Sequence, residues 1–113
     1  MRILPKTSIP KPKARGDFLV KGWGKRRGEN ALIYTIPNHN TPSKPYEKGI
    51  TVSEWEQAYV HISSGADFTR VWFNQNMPHC ATEGGCNFTT IGGVFVLLNL
   101  AVYKEQGVYS PRR

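Results

Sequence analysis

An α+β domain is the fold class this chain predicts, and three observations carry the prediction. Asp17–Trp23 and Ala31–Pro37 alternate their side chains with the period of a strand, whereas Thr51–Ser64 repeats its apolar residues at helical spacing. A third stretch, GGCNFTTIGGVFVLLNLAVY from Gly84 to Tyr103, is the most apolar part of the chain and predicts the centre of the core. The expected order is an N-terminal β-hairpin followed by three helices and a small terminal hairpin, over residues 17–113. The alternative is a small β-sheet of three or more strands, including 68–75, covered by two helices.

Residues 1–16 hold three prolines and five basic side chains without periodicity, which predicts an extended, partly mobile basic arm. Ile3, Leu4 and Ile9 are its candidate anchors to the domain or to a second subunit. In the hairpin that follows, Phe18 and Val20 alternate with Leu19 and Lys21, and Leu32, Tyr34 and Ile36 alternate with their neighbours. Gly24 and Gly28 bracket the link, so Lys25, Arg26 and Arg27 fall at the tip. Pro37 and NHNTPSKP end the second strand in a loop.

Thr51 and Glu54 have the spacing of a capping box, and Val52, Trp55, Tyr59 and Ile62 share one helical face. Gly65 suits the left-handed cap that stops this helix. Residues 68–76 carry two signals: Phe68 and Trp72 are at helical spacing, yet FTRVWF has the aromatic and β-branched content of a strand. A helix is preferred, ended by Pro78. Thr89 or Thr90 is the expected N-cap of a buried helix from about Ile91 to Leu100. It either continues to Lys104, or it stops near Asn99 and leaves Leu100–Tyr103 and Val108–Tyr109 as strands around KEQG.

In the second case, helix 52–63, helix 68–76, helix 90–99 and a hairpin turning at Glu105-Gln106-Gly107 resemble a winged-helix domain. The resemblance covers about residues 51–110 and rests on element order and on the LLNLAVYKEQGVY ending. It implies a nucleic-acid-binding fold. The third helix departs from the pattern, because it offers Val94, Phe95, Val96, Leu97 and Leu98 where such domains offer polar or basic side chains to the major groove.

Length and charge bound the function. A chain of 113 residues is one domain, with room for one modest core. Residues 1–50 carry eleven Lys/Arg and three Asp/Glu, a net +8, while residues 51–113 carry four and five, a net −1. So uneven a distribution favours a polyanionic partner, nucleic acid or an acidic protein surface; a solvated basic face explains the same charge without a partner. The apolar run is about half of what a transmembrane helix needs. MRILPKTSIPK has a charge and a proline where a secretory leader is apolar. A cytoplasmic location, no membrane, and free thiols at Cys80 and Cys86 are therefore expected. That location also makes the Asn87-Phe88-Thr89 sequon and the Arg15-Gly16-Asp17 tripeptide coincidences. Small basic domains of this kind are common in phage and mobile elements, an association rather than a derivation.

Three constellations are candidates for chemistry. The first is the basic set, Lys11, Lys13 and Arg15 on the arm with Lys25, Arg26 and Arg27 at the hairpin tip. These suit phosphate contacts, and Trp23 and Tyr34 are candidates for stacking on a single strand. The second is the helix entrance, where Thr89, Thr90, Gly92 and Gly93 make a possible anion site; capping and close packing explain the same residues without a ligand. The third is His79, Cys80 and Cys86, with His39 and His61 elsewhere. Cys86 ahead of a helix is a candidate nucleophile, but most lone cysteines are small buried hydrophobes, and the spacing suits no zinc site. Glu54, Glu56, Asp67 and Glu83 form no acid–base pair.

The expectation is a small non-enzymatic nucleic-acid-binding protein with no cofactor and no metal. It is expected to be a homodimer through the Val94, Phe95 and Leu98 region or through strand edges, since that helix is apolar on nearly all sides. The alternative is a homo-oligomeric interaction or small-ligand module without a nucleic-acid role. An enzyme with a Cys86 nucleophile is a third reading.

Overall fold

The computed structural model describes residues 4–13 and 15–112. Its first half is a four-stranded antiparallel half-barrel sheet of β1 (Ser8–Ile9), β2 (Phe18–Arg26), β3 (Glu29–Ile36) and β4 (Tyr46–Thr51), neighbours in that order. Helices α1 (Val52–Ser63), α2 (Arg70–Asn76), α3 (Pro78–Glu83) and α4 (Asn87–Leu97) follow, with the two-residue strand β5 (Phe68–Thr69) between α1 and α2. The chain closes with the hairpin β6 (Ala101–Glu105) and β7 (Val108–Pro111), and β5 joins β7 to make a second, three-stranded sheet. The class is α+β, with a hairpin at each end of a helical middle.

The first hairpin is longer than the alternation suggested. Lys25 and Arg26 are strand residues paired with Asn30 and Glu29, so the tip is only Arg27-Gly28. Both tip residues have positive φ, 51° and 76°. Two left-handed residues give the tight turn whose twist matches the flanking strands; glycine accepts that conformation freely and arginine at a cost. Arg27 is held there by Glu54 and Glu83, as described below.

Helix α1 begins as its capping box requires. Glu54 N donates to Thr51 Oγ1 and Thr51 N donates to Glu54 Oε1 at 2.9 Å, which satisfies two donors that the helix itself leaves open. Trp55, Ala58 and Ile62 form its buried face. Residues 68–76 satisfy both of their signals in turn. Phe68-Thr69 pairs with Val108 and Tyr109 as a strand, and Thr69 then caps α2 by accepting from Trp72 N at 3.0 Å.

Helix α4 is the centre of the core: eight of its eleven residues, from Asn87 to Phe95, are buried. It starts at Asn87, earlier than the threonines suggested, and its N-cap Cys86 makes no side-chain capping bond. Phe88 stacks on Phe68 with ring centroids 4.8 Å apart, and Phe95 meets the edge of Trp55 at 6.0 Å. Gly92 lies under the ring of Tyr109 from β7, and Gly93 lies under the backbone of Pro10 and the side chain of Ile9. A Cβ at either position would collide with those atoms.

Of the three candidate anchors of the arm, Ile9 is buried in the core, and Lys6 N donating to Val20 O and Val20 N donating to Thr7 O dock this part of the arm on β2. Other features differ from the sequence expectation. Leu4 anchors nothing, at 75% exposed, and Ile3 lies outside the described residues. Strand β4 went unread because Glu47, Lys48 and Gly49 are poor strand formers; its pairing with β3 and the burial of Ile50 override propensity. Pro78 does not simply end a helix but occupies the first turn of α3, where its missing N–H costs nothing. Among the described residues no helix is long and apolar enough to cross a membrane.

Candidate functional site

Where the docked arm crosses the start of α4, it places Lys11 inside the molecule. Its Nζ donates to Cys86 O at 3.0 Å, Thr89 Oγ1 at 2.8 Å and Thr90 Oγ1 at 2.7 Å, and sits 4.3 Å from the centre of the Phe18 ring. All three ammonium hydrogens therefore have acceptors. The expected anion site at Thr89 and Thr90 is thus filled by a cation from the same chain, and Gly92 and Gly93 beneath it are covered by Tyr109 and Pro10. Hydroxyls accept as readily as they donate, which the anion reading of the threonines overlooked. A positive charge at a helix N-terminus opposes the helix dipole. Burial, and secondarily the Arg70 guanidinium, push the Lys11 amine down to about 7, against the opposing effect of Cys86.

Below Lys11 a buried polar chain links the two halves of the fold. Tyr34 on β3 donates to Asn87 Oδ1 at 2.5 Å, and Asn87 Nδ2 donates to Cys80 O at 2.9 Å. The Cys86 thiol lies 3.2 Å from the Tyr34 hydroxyl. Burial and the neighbouring Cys86 hold the Tyr34 phenol well above its ordinary range. Burial, then Glu54, pushes the Cys80 thiol up to about 12, so Cys80 is an unreactive core residue.

A cleft of about 650 Å³ opens beside this clasp, between the arm and the β6–β7 turn. Its cations are Lys11, Lys13 and Arg70, its rings include Phe18 and Tyr103, and its described lining contains neither a carboxylate nor an imidazole. Arg70 is fixed from several sides. Its backbone N donates to Gly107 O, its Nη1 donates to Gly85 O at 2.6 Å, and its guanidinium lies 4.6 Å from the Phe88 ring centre. Among the described residues Lys13 has only a 3.5 Å contact to Gln106 Oε1. Phe88 and Tyr109 form the buried floor, and Tyr103, 42% exposed, is on the rim. The Tyr109 hydroxyl is buried and has no hydrogen-bond partner among the described residues.

The six basic residues singled out in the sequence do not converge. Lys11 and Lys13 are at the cleft and Arg15 is exposed nearby along the chain. Lys25, Arg26 and Arg27 lie at the far end of β2, a strand whose contour is about 26 Å at 3.3 Å per residue. Arg27 is committed internally, with Nη2 at 2.6 Å from Glu54 and Nη1 on Glu83. Arg26 is within 3.9 Å of Glu47, and Lys25 is exposed. Of the two stacking candidates, Tyr34 is buried and Trp23 is 48% exposed on a different groove.

Of the expected dimer face, Val94 and Phe95 are instead buried within the chain, Phe95 against Trp55 and Phe68, and Leu98 is half-buried. His79 lies in a polar pocket with Cys80 and away from Cys86, and His61 stacks on Trp72. No three His, Cys, Asp or Glu side chains cluster as a metal site would require among the described residues. Sequence reasoning missed Arg70, Phe18, Tyr103 and Gln106 as a group. One signal was present: Arg70 is one of four basic residues in the second half, and it sits in the segment whose strand-then-helix character was ambiguous. No known family, curated protein or solved structure matches the chain.

The Lys11 clasp has a pH signature. An unfolded lysine releases its proton near the ordinary 10.5, while folded Lys11 releases it near 7. Between those values the unfolded chain binds more protons, so stability rises with pH, by up to about 1.4 kcal/mol per pH unit. Cys80, Tyr34 and Tyr109 have raised values when folded and act in the opposite sense only as pH passes their ordinary values of 9 and 10. Urea midpoints measured between about pH 7 and 8.5 should climb in the wild type and stay level in Lys11→Met.

Proposed function

We propose that the protein is a non-enzymatic nucleic-acid-binding protein that engages phosphates through its basic first half and the cleft. One observation carries the reading: a cleft with the cations Lys13 and Arg70, the Lys11 amine beside them and partly accessible aromatic rings has no carboxylate in its described lining. Such a surface favours a ligand that is both anionic and flat, and nucleic acid is both. Lys13, Arg15 and Lys25 add sequence-independent phosphate contacts, with Arg26 next to them on β2. The described lining of the cleft has no carboxylate or imidazole, and the thiol of Cys86 faces a tyrosine hydroxyl rather than an imidazole, which supports a binding role.

The winged-helix resemblance enters only through element order. Helices α1, α2 and α4 and the β6–β7 hairpin follow in the order it implies, with β5 and α3 added. Helix α4 is buried, so base reading by that helix has no part in the proposal. Contacts fall instead to the arm, the cleft and the exposed end of β2.

With three or four phosphates contacted, affinity for a single strand falls roughly 20- to 50-fold between 50 and 200 mM salt. Fluorescence anisotropy with a labelled single strand and a duplex checks this. Absence of binding at 50 mM salt, or an affinity indifferent to salt, refutes the proposal.

A second reading, self-association, rests on a separate apolar groove of about 590 Å³ lined by Trp23, Val52, Tyr59, Leu98 and Leu100. Trp23 and Tyr59 are each about half exposed there, at 48% and 49%. Sedimentation of the free protein tests it: a dimer that Trp23→Ser dissociates is expected, and a monomer at high concentration rules it out.

A further inference from the structure

We propose that the cleft between the arm and the β6–β7 turn holds one unpaired nucleotide, with its phosphate between Lys13 and Arg70 and its base against Tyr103 and Phe18. This rests on the nucleic-acid reading and names the part of the ligand that the cleft takes. The volume of about 650 Å³ is within the range of pockets that enclose small molecules, roughly 300–1,000 Å³.

The division of labour follows from which donors are free. Lys11 has all three hydrogens committed to Cys86 O, Thr89 and Thr90, so it contributes charge but no bond to a ligand. Arg70 spends Nη1 on Gly85 O and stacks on Phe88, which among the described residues leaves the rest of its guanidinium fork for a phosphate. Among the described residues Lys13 has only the long contact to Gln106 Oε1, and a phosphate within reach replaces it with a charge-assisted bond. These two cations flank the same opening.

The aromatic side of the cleft is graded by exposure. Phe88 and Tyr109 are fully buried and form the floor. Phe18 is half-buried beneath Lys11, and Tyr103 is 42% exposed, held edge-to-face on Tyr109 at 5.5 Å. A base stacked in a duplex has no free face to offer Tyr103, whereas an unpaired base has one. Gln106, at the turn, holds its amide oxygen beside Lys13 and so beside the phosphate position.

The test titrates the full chain, followed by amide chemical shifts, with adenosine 5′-monophosphate, adenosine and inorganic phosphate in parallel. The nucleotide is expected to shift Arg70, Tyr103, Gln106 and Gly107 saturably, and to bind about tenfold or more tightly than either fragment. Tyr103→Ala is expected to weaken it roughly 5- to 150-fold, the range of one stacked base. Gln106→Glu, an exposed change at a turn that leaves the core untouched, is expected to weaken it by placing a carboxylate beside the phosphate. Shifts outside the cleft, or none, while single strands still bind, overturn the inference and leave the nucleic-acid reading standing. A nucleotide seated in the cleft without any oligonucleotide binding supports the site and sinks that reading. Phosphate binding as tightly as the nucleotide overturns the role given to the base, and failure of both ligand classes overturns both proposals.

Discussion

Two sheets close on one helix in this fold, and they can do so only because α4 carries two adjacent glycines. Tyr109 of the second sheet presses on Gly92, and the first sheet's edge, Ile9 and Pro10, presses on Gly93. Glycine in a helix interior costs about 1 kcal/mol relative to alanine. The chain accepts that cost twice in succession, in exchange for contacts that bury Ile9, Tyr109 and the apolar face of α4 together.

The cleft is a consequence of that closure. Once Pro10 lies on Gly93, the next residue, Lys11, has its head at the entrance of α4, and the Cys86 carbonyl and two threonine hydroxyls are there to receive it. Once Tyr109 lies on Gly92, the β6–β7 turn stands opposite the arm, with Arg70 tied to Gly107 beside it. The space between them is lined by positive charge from Lys11 and Lys13 of the arm and Arg70 of α2. Function, on this view, is set by where two backbones are allowed to approach a helix.

Much of the architecture was legible. The alternation of Leu32, Tyr34 and Ile36, the Thr51/Glu54 box and the apolar run after Gly93 each report on local structure, and each marks an element. Close packing was legible as one explanation of Gly92 and Gly93, though not what would pack there. Strand β4 was hidden, because tertiary pairing made a strand of Tyr46–Thr51 despite its Glu-Lys-Gly centre. The site was hidden for a different reason. Lys11, Arg70, Cys86 and Tyr103 are brought together by long-range contacts, and in sequence Lys11 looked like one more solvated charge on an arm. The hydroxyls of Thr89 and Thr90 were noticed, but their partner was some seventy-eight residues away.

The central claim is that α4 needs the glycine pair for closure, and stability measurements on Gly92→Ala and Gly93→Ala test it directly because two effects oppose. Helix propensity alone makes each substitution stabilising by about 1 kcal/mol. Overpacking against the Tyr109 ring or the Pro10 carbonyl makes each destabilising, typically by about 1–3 kcal/mol. Urea unfolding is therefore predicted to show a lowered midpoint for both variants with an unchanged slope. A midpoint that stays level or rises in either variant would contradict the account.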